Sequence, residues 1–540
     1  MSTFLRNLCE NDEPVTLEKI LFSLFGITII RTFFENFSSP NPDGYFFSWK
    51  DTCLEFPIYY TSVFLSFALI LHFFSKKSFN KIINFEIKVF LFALLPPIVD
   101  LLATHGKGSP MSYIVTEPQN ILSAFFETMN PLGFSGITFG IHVAAYLILS
   151  SMALFTYQAT KNFFKSISVV LIGYCILFLY AITPSLIAMP TFFSSNSESI
   201  SAAYHATVQQ SWLATTQEQS IADFSFLQFF NPAKFQNETT TRTFFLLLLF
   251  QLALLFFIFK PKFFTAIKNN LRLERILFWS IIATIGIVLN QRLFGPINFS
   301  NTINIIILAI FFSLIALNAW LAICINDAED IAIDEVSNPN RPLVKKEVSI
   351  GDWKKFQTIL TVLVVLGTAI MNHAAGFLLI LAQMAYYLYS AKPLRLKKHF
   401  LTSSILIGIA SVAISMAGFF LVSPDQHLSS FPIQAVIIIG FSFALISNFK
   451  DIKDFKGDNH AGIQTIPVVF GLENSRHIIA TLFALVMVIV PLSLNLYTLL
   501  FPTLLMALFT YYLFIKKEYQ EKYVFSVFFL YMLTLFLATL

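Results

Sequence analysis

The sequence predicts an all-α polytopic membrane protein, and three observations carry that prediction. The 540-residue chain is 56% hydrophobic and only 12% charged, with a mean hydropathy of +0.70, which lies outside the range of soluble globular domains. Its apolar residues gather in about 15 runs, each close to the roughly 20 residues that a helix needs to cross a hydrocarbon core. Lys and Arg recur in alternate loops, the pattern left by positive residues staying on the cytoplasmic side.

Six runs come first, near 18–34, 56–75, 86–103, 136–157, 166–190 and 243–259. Nine follow, near 275–291, 303–325, 357–372, 374–391, 401–423, 432–448, 475–496, 498–515 and 522–540. Between the two sets "KPKFFTAIKNNLRLER", 260–275, is the most basic connector. It divides the chain into a module of about six transmembrane helices over 1–260, a basic linker over 261–274 and a module of about nine helices over 275–540. Basic loops at 76–88, 161–165, 260–275, 341–355, 392–398, 450–456 and 516–517 alternate with charge-poor ones. A multi-pass integral membrane protein with a cytoplasmic N-terminus is expected.

Other features bound the function. The net charge of +4 is too small, and no basic tract long enough, for nucleic acid to be a partner. Cys9, Cys53, Cys175 and Cys324 are scattered, so neither a disulfide framework nor a zinc site is expected. The N-terminus lacks a basic region followed by an apolar core and a cleavage site, so the first span is expected to be retained. The stretch Pro190–Thr241, rich in Ser, Thr, Asn and Gln, reads as a partly ordered outer loop. Asp100 and His105, and likewise Glu35 and Asp51, read as ordinary loop residues.

The chemistry concentrates in two acidic motifs. "NDAEDIAID" supplies Asn326, Asp327, Asp330 and Asp334, and "DIKDFKGD" supplies Asp451, Asp454 and Asp458. Offsets of three, four and seven share one face of a helix, so each set forms an acidic stripe. Helix capping at the membrane surface would also place acids there. Three like charges on one face repel, however, and two such stripes on one predicted side favour a cation between them. Oxygen ligands without His or Cys suit Mg²⁺ or Ca²⁺. Mg²⁺ commonly shares its shell with substrate phosphates, which points to a diphosphate on a hydrophobic substrate. Arg341 in "NPNRPL" and Lys392, Arg395, Lys397 and Lys398 in "YSAKPLRLKK" are placed to grip phosphate oxygens. Topology alone accounts for any single Lys among them equally well, and for Lys398 better.

These four stretches, the last extended to "DIKDFKGDNHAGIQTIPVVFG", resemble in the same order the signatures of the UbiA superfamily of intramembrane prenyltransferases. The resemblance covers roughly 271–540. It implies a bundle of about nine helices around a central cavity. It further implies Mg²⁺-dependent transfer of a prenyl group from an isoprenyl diphosphate to an aromatic or lipid-like acceptor in the bilayer. In family terms Asn326, Asp327, Asp330, Asp334, Asp451, Asp454 and Asp458 would bind Mg²⁺ and diphosphate. Arg341, Lys392, Arg395 and Lys397 would steady the leaving group. Many members carry a Tyr with a Lys four residues on; here Tyr389 is followed by Lys392 at three and Lys397 at eight. Tyr386, Tyr387 and Tyr389 are candidates to shelter an allylic cation, and packing accounts for them as well. The alternative is a transporter or scaffold whose second half keeps the prenyltransferase shape without turnover.

Overall fold

The computed structural model describes residues 9–38, 51–103, 113–130, 137–195, 197–209, 211, 232–516 and 518–539. Among these residues the chain is almost wholly helical, with one isolated bridge between His399 and Gln464. Among the described residues, twelve helices are long and apolar enough to cross a membrane. The runs near 18–34, 357–372 and 374–391 are also helical, over Leu17–Ser38, Ile350–Ala369 and His373–Ser390, but are not among those twelve. Polar residues mark several starts: Ser349 accepts from Asp352 N and Asn372 from Ala375 N, each satisfying a free amide of a first turn.

The structure separates into two compact units. The first gathers the described residues up to Ser211, those through Pro261, and Phe299–Ile310; the second gathers Lys262–Asn298 and the chain from Phe311 on. In the first unit, a buried polar network ties three spans together. Gln251 Nε2 donates to the Ser62 carbonyl at 3.0 Å and to Ser66 Oγ at 2.8 Å, and the Tyr180 hydroxyl lies 2.5 Å from Ser62 Oγ. Such bonds hold helices where burial in lipid supplies no hydrophobic drive.

Two sequence expectations for this unit are corrected. Glu35 is not a loop residue: it lies in Leu17–Ser38, buried, and pairs with Arg31 one turn earlier. Asp100 is buried and accepts the Gly140 amide at 2.6 Å, because Gly140 lets the two chain segments approach without a Cβ. The stretch expected as a partly ordered outer loop includes the helix Ile200–Gln209, which buries Ile200, Ala203, Tyr204, Thr207 and Val208 at helical spacing. His105 and the Asp51 side chain lie outside the described residues.

In the second unit, the helix Phe400–Val422 is central. Of its membrane-length window 78% is buried, against 22% for Tyr497–Ile515. Small residues make this possible. An ideal Cβ on Gly286 would stand 1.7 Å from the Ser415 carbonyl oxygen, and one on Gly418 would stand 2.0 Å from that of Ala283. Backbones of Leu273–Phe294 and Phe400–Val422 therefore meet directly, as small residues allow between membrane helices. Gly418→Val is expected to cost more than the roughly 1–3 kcal/mol of ordinary overpacking, because backbone and not a side chain must move. The fraction of monodisperse protein extracted from membranes, and its thermal midpoint, check this.

Candidate active site

The first acidic motif straddles a step in the helix. Thr302–Glu329 ends, Asp330 follows, and Ile331–Ser337 begins. The hydrogen-bond ladder continues through the step: the amides of Asp330, Asp334 and Asn338 reach the carbonyls of Asn326, Asp330 and Asp334 at 2.9, 2.8 and 2.8 Å. Asp327, Asp330 and Asp334 consequently keep helical spacing, and all three are buried. Upstream, Trp353 Nε1 and Gln357 Nε2 donate to the Cys324 carbonyl at 3.0 and 2.7 Å, fixing the turn from which Asn326 and Asp327 project.

The second motif is delivered by a similar device. Ile433–Ile446 tightens into a 3-10 turn at Ser447–Lys450 and resumes as Asp451–His460. This helix packs on Ile331–Ser337 through a glycine. A Cβ on Gly457 would stand 2.3 Å from Ser337 Oγ and 2.8 Å from the Ile333 carbonyl, and the Gly457 amide donates to Ser337 Oγ at 3.0 Å. The loop after "YSAKPLRLKK" is pinned to the loop after the second motif: Gln464 N donates to the Lys398 carbonyl at 2.7 Å, and Phe400 N to the Gln464 carbonyl at 2.9 Å.

Four cations converge on the first stripe. Asp327 accepts from Arg272 at 2.6 Å, Arg341 at 2.8 Å and Asn270 at 2.7 Å. Asp330 accepts from Arg395 at 2.6 Å and from Lys397. Asp334 accepts from Arg341 and, at 3.2 Å, from Asn338 Nδ2. Burial pushes the Asp334 carboxyl up to about 6; Arg341 pulls it down, while Asp327 and Asp330 push it further up. The second stripe differs. Asn338 Nδ2 also reaches Asp454 at 3.1 Å, joining the two stripes. No basic side chain forms an ion pair with Asp451, Asp454 or Asp458 among the described residues.

The sequence left open which Lys would face the carboxylates. The structure brings Lys397 Nζ to Asp330 and, at 3.1 Å, to Asn326 Oδ1, where Ser390 Oγ also donates at 3.1 Å. Lys392 is instead 69% exposed and, among the described residues, its ion pair is with Glu329 at 3.5 Å. Tyr389 lies against a cation that sequence reasoning assigned to topology: Lys450 Nζ donates to its hydroxyl at 2.7 Å and sits 4.5 Å from its ring centroid. Tyr386 stacks on Trp279 at 4.2 Å, and Tyr387 is exposed. We expect Lys397→Ala to lower turnover at least tenfold and Lys392→Ala less than twofold, because exposed ion pairs contribute little. Rates of diphosphate release from the two variants compare them directly.

Arg272, Asn270, Asn338 and Lys450 were missed as site residues. Arg272 and Lys450 each sit at the end of an apolar run, where the positive-inside pattern explains a basic residue without any site. Two signals were available. Lys450 directly precedes the second motif, and Asn338 falls four residues after Asp334 on the same helical face. Arg272 and Arg395 both adopt left-handed backbone angles, φ 46° and 43°, which no sequence pattern announces.

The donor set fits a hard divalent cation on this geometry. It offers carboxylate and amide oxygens from two packed helices, and the second stripe has no ion-pair partner to displace. Among the described residues, no three His, Cys, Asp or Glu side chains close a metal cage by themselves.

Residues 277–533 match the model of the UbiA prenyltransferase family. The C-terminal half of this chain belongs to that family. A digeranylgeranylglyceryl phosphate synthase from Sulfurisphaera tokodaii is 28% identical over 174 residues, covering 32% of this chain and 60% of the relative. A chloroplastic chlorophyll synthase from Oryza sativa subsp. japonica is 27% identical over 166 residues, covering 28% and 42%. The chain thus spans about half the length of the curated relatives it matches. A solved UbiA homolog from Archaeoglobus fulgidus, bound to DMAPP and Mg²⁺, is 17% identical, with a TM-score of 0.39 over 49% of this chain and 96% of that one.

Proposed function

We propose that the UbiA half, 275–540, transfers a prenyl group from an isoprenyl diphosphate to a hydrophobic acceptor in the membrane, with Mg²⁺ as cofactor, and that residues 1–260 form a separate module. The observation that carries this reading is the packing of Ile331–Ser337 on Asp451–His460, which sets one neutralised and one unneutralised carboxylate stripe side by side. Asp451, Asp454 and Asp458, with Asn326, Asp327, Asp330 and Asp334 opposite, would hold the metal. Mg²⁺ bound there would supply Lewis-acid neutralisation of the departing diphosphate.

The chain's own residues account for the rest. Arg341, Arg395 and Lys397 stand beside the stripe as donors for phosphate oxygens, Arg in forked geometry and Lys as a point charge. The bond from the allylic carbon to diphosphate oxygen breaks, and its electron pair leaves on the diphosphate, where these cations stabilise it. The acceptor's oxygen or ring carbon forms the new bond and gives up its proton. The prenyl tail takes the apolar cavity of about 160 Å³ walled by Ile439, Phe443, Ile446, Val486, Phe528 and Met532. That cavity runs along Ile433–Ile446 from Ala435 to Ile446, about 16 Å of helix, and stops ahead of Asp451. The site faces the cytoplasm on the positive-inside pattern. Digeranylgeranylglyceryl phosphate synthases recur among the relatives, which favours a lipid-like acceptor with a free hydroxyl over an aromatic ring.

The test offers the full-length protein, in lipid, labelled prenyl diphosphates of several lengths with glyceryl phosphate lipids and aromatic acceptors, with and without Mg²⁺. Mass spectrometry reads product and released diphosphate. A Mg²⁺-dependent prenylated product is expected. Neither product nor diphosphate release from folded protein would leave a prenyltransferase shape without turnover.

A further inference from the structure

The first unit contains a cavity that the UbiA half does not explain. It has a volume of about 150 Å³ and lies among Phe56–Ser75, the turn Phe90–Leu94, Phe139–Thr160 and Phe163–Ala181. A dry cavity of this size holds a single aromatic ring. Val63, Phe67, Phe90, Ile148, Leu177 and Phe178 make most of its wall apolar.

The polar lining is sparse and mostly engaged. Arg31 borders the cavity, but its charge is met by Glu35 on the same helix, and its guanidinium lies 5.3 Å from the Tyr60 ring centroid. His142 has Nδ1 2.9 Å from the Thr138 carbonyl and Nε2 2.8 Å from that of Thr128. The Thr128 and Tyr174 hydroxyls are 2.7 Å apart. Tyr59 is different: it borders the cavity, and its hydroxyl has no hydrogen-bond partner among the described residues. Its ring is nonetheless fixed, edge-on to Tyr60, Tyr113, Tyr180 and Phe244 at 5.1, 6.5, 5.7 and 5.4 Å. A hydroxyl held rigidly at an apolar wall, with nothing of its own to bond, is a prepared contact for a ligand oxygen.

We infer that this cavity binds a neutral, membrane-dissolved phenol, with its ring between Phe67, Phe90 and Phe178 and its oxygen on the Tyr59 hydroxyl. The wall fixes the apolar body, and the aromatic lining favours a planar ring that can meet other rings edge to face. Glu35 meets the Arg31 charge and both His142 ring nitrogens face carbonyl oxygens, so neither side chain is placed to take a carboxylate or phosphate, which would be desolvated without compensation. The cavity is accordingly no second site for a prenyl diphosphate. The inference stands independently of the transferase reading.

The experiment uses the full-length protein in nanodiscs with a phenol carrying a diazirine para to its hydroxyl, and maps crosslinks by peptide mass spectrometry. Saturable labelling is expected on the peptides containing Phe67 and Ile148, competed by 4-propylphenol at least fivefold better than by propylbenzene. Tyr59→Phe, which removes one oxygen and leaves the ring packing, is expected to weaken binding about fivefold, the worth of one hydrogen bond. Ala144→Phe, which fills the cavity from Phe139–Thr160, is expected to abolish labelling, with a thermal melt confirming the fold. Labelling spread over lipid-facing helices and indifferent to both variants would overturn the site. Equal competition by propylbenzene, or unchanged binding in Tyr59→Phe, would overturn the phenol.

Discussion

Asp330→Asn and Asp454→Asn are each expected to slow diphosphate release by at least about a hundredfold, while the protein still inserts and folds. The expectation rests on where each carboxylate stands. Asp330 is the common partner of Arg395 and Lys397, so removing its charge leaves two cations at the site without their counter-ion and misplaces the donors meant for phosphate. Asp454 belongs to the stripe with no basic partner and is joined to Asp334 through Asn338, so its loss reduces the charge offered to a divalent cation. Removing one preorganised electrostatic contact from a reaction centre commonly costs about 10²–10³ in rate. Neither substitution changes side-chain volume appreciably, so a rate loss reports charge and not packing. The measurement is single-turnover release of labelled diphosphate across a Mg²⁺ titration. Asp454→Asn is expected to shift the Mg²⁺ midpoint upward. Unchanged rates in both variants would remove the stripes from the mechanism.

Gly457→Ala is expected to be the most damaging change for its size, lowering turnover about a hundredfold with little loss of folded protein. One methyl group at this position meets Ser337 Oγ, Ile333 Cγ2 and the Ile333 carbonyl, all closer than 3.0 Å. The two motif helices must separate to admit it, and a displacement of about 1 Å at a reaction centre can cost on the order of 10²-fold. Gly351→Ala is the matched control. It adds the same methyl in the first turn of Ile350–Ala369, where the nearest heavy atom, Ser349 Oγ, is 3.9 Å away. Turnover of the control is expected to match the parent. Equal activity of both Gly variants would show that the helix separation does not matter to the chemistry.

Much of the architecture was legible in the residues. Within the described residues the predicted apolar runs fall on helical segments, with 166–190 divided between Phe163–Ala181 and Thr183–Ser195, because a chain that cannot hydrogen-bond to lipid must satisfy its backbone within each segment. The acidic stripes were readable for a related reason: helical spacing converts sequence offsets into faces. Two kinds of feature escaped. Charged groups at span ends have two explanations, topology and chemistry, and composition cannot choose between them; Arg272 and Lys450 were lost that way. Buried polar residues in the first unit, such as Glu35 and Asp100, looked like loop residues because their partners, Arg31 and the Gly140 amide, become relevant only once the chain has folded.

The sequence by itself determined that this is a helical membrane protein, and it determined which carboxylates would line up on each of two helices. Both follow from local rules, length against bilayer thickness and 3.6 residues per turn. Only the tertiary structure decided how the two stripes divide their labour. Contacts between separate segments gave one stripe four ion-paired cations and the other no ion pair among the described residues, put Lys397 and not Lys392 at Asp330, and let the stripes meet through Gly457 and Asn338. Those outcomes depend on how closely two backbones can approach, and that distance is set by packing between helices and not by the order of residues along either one.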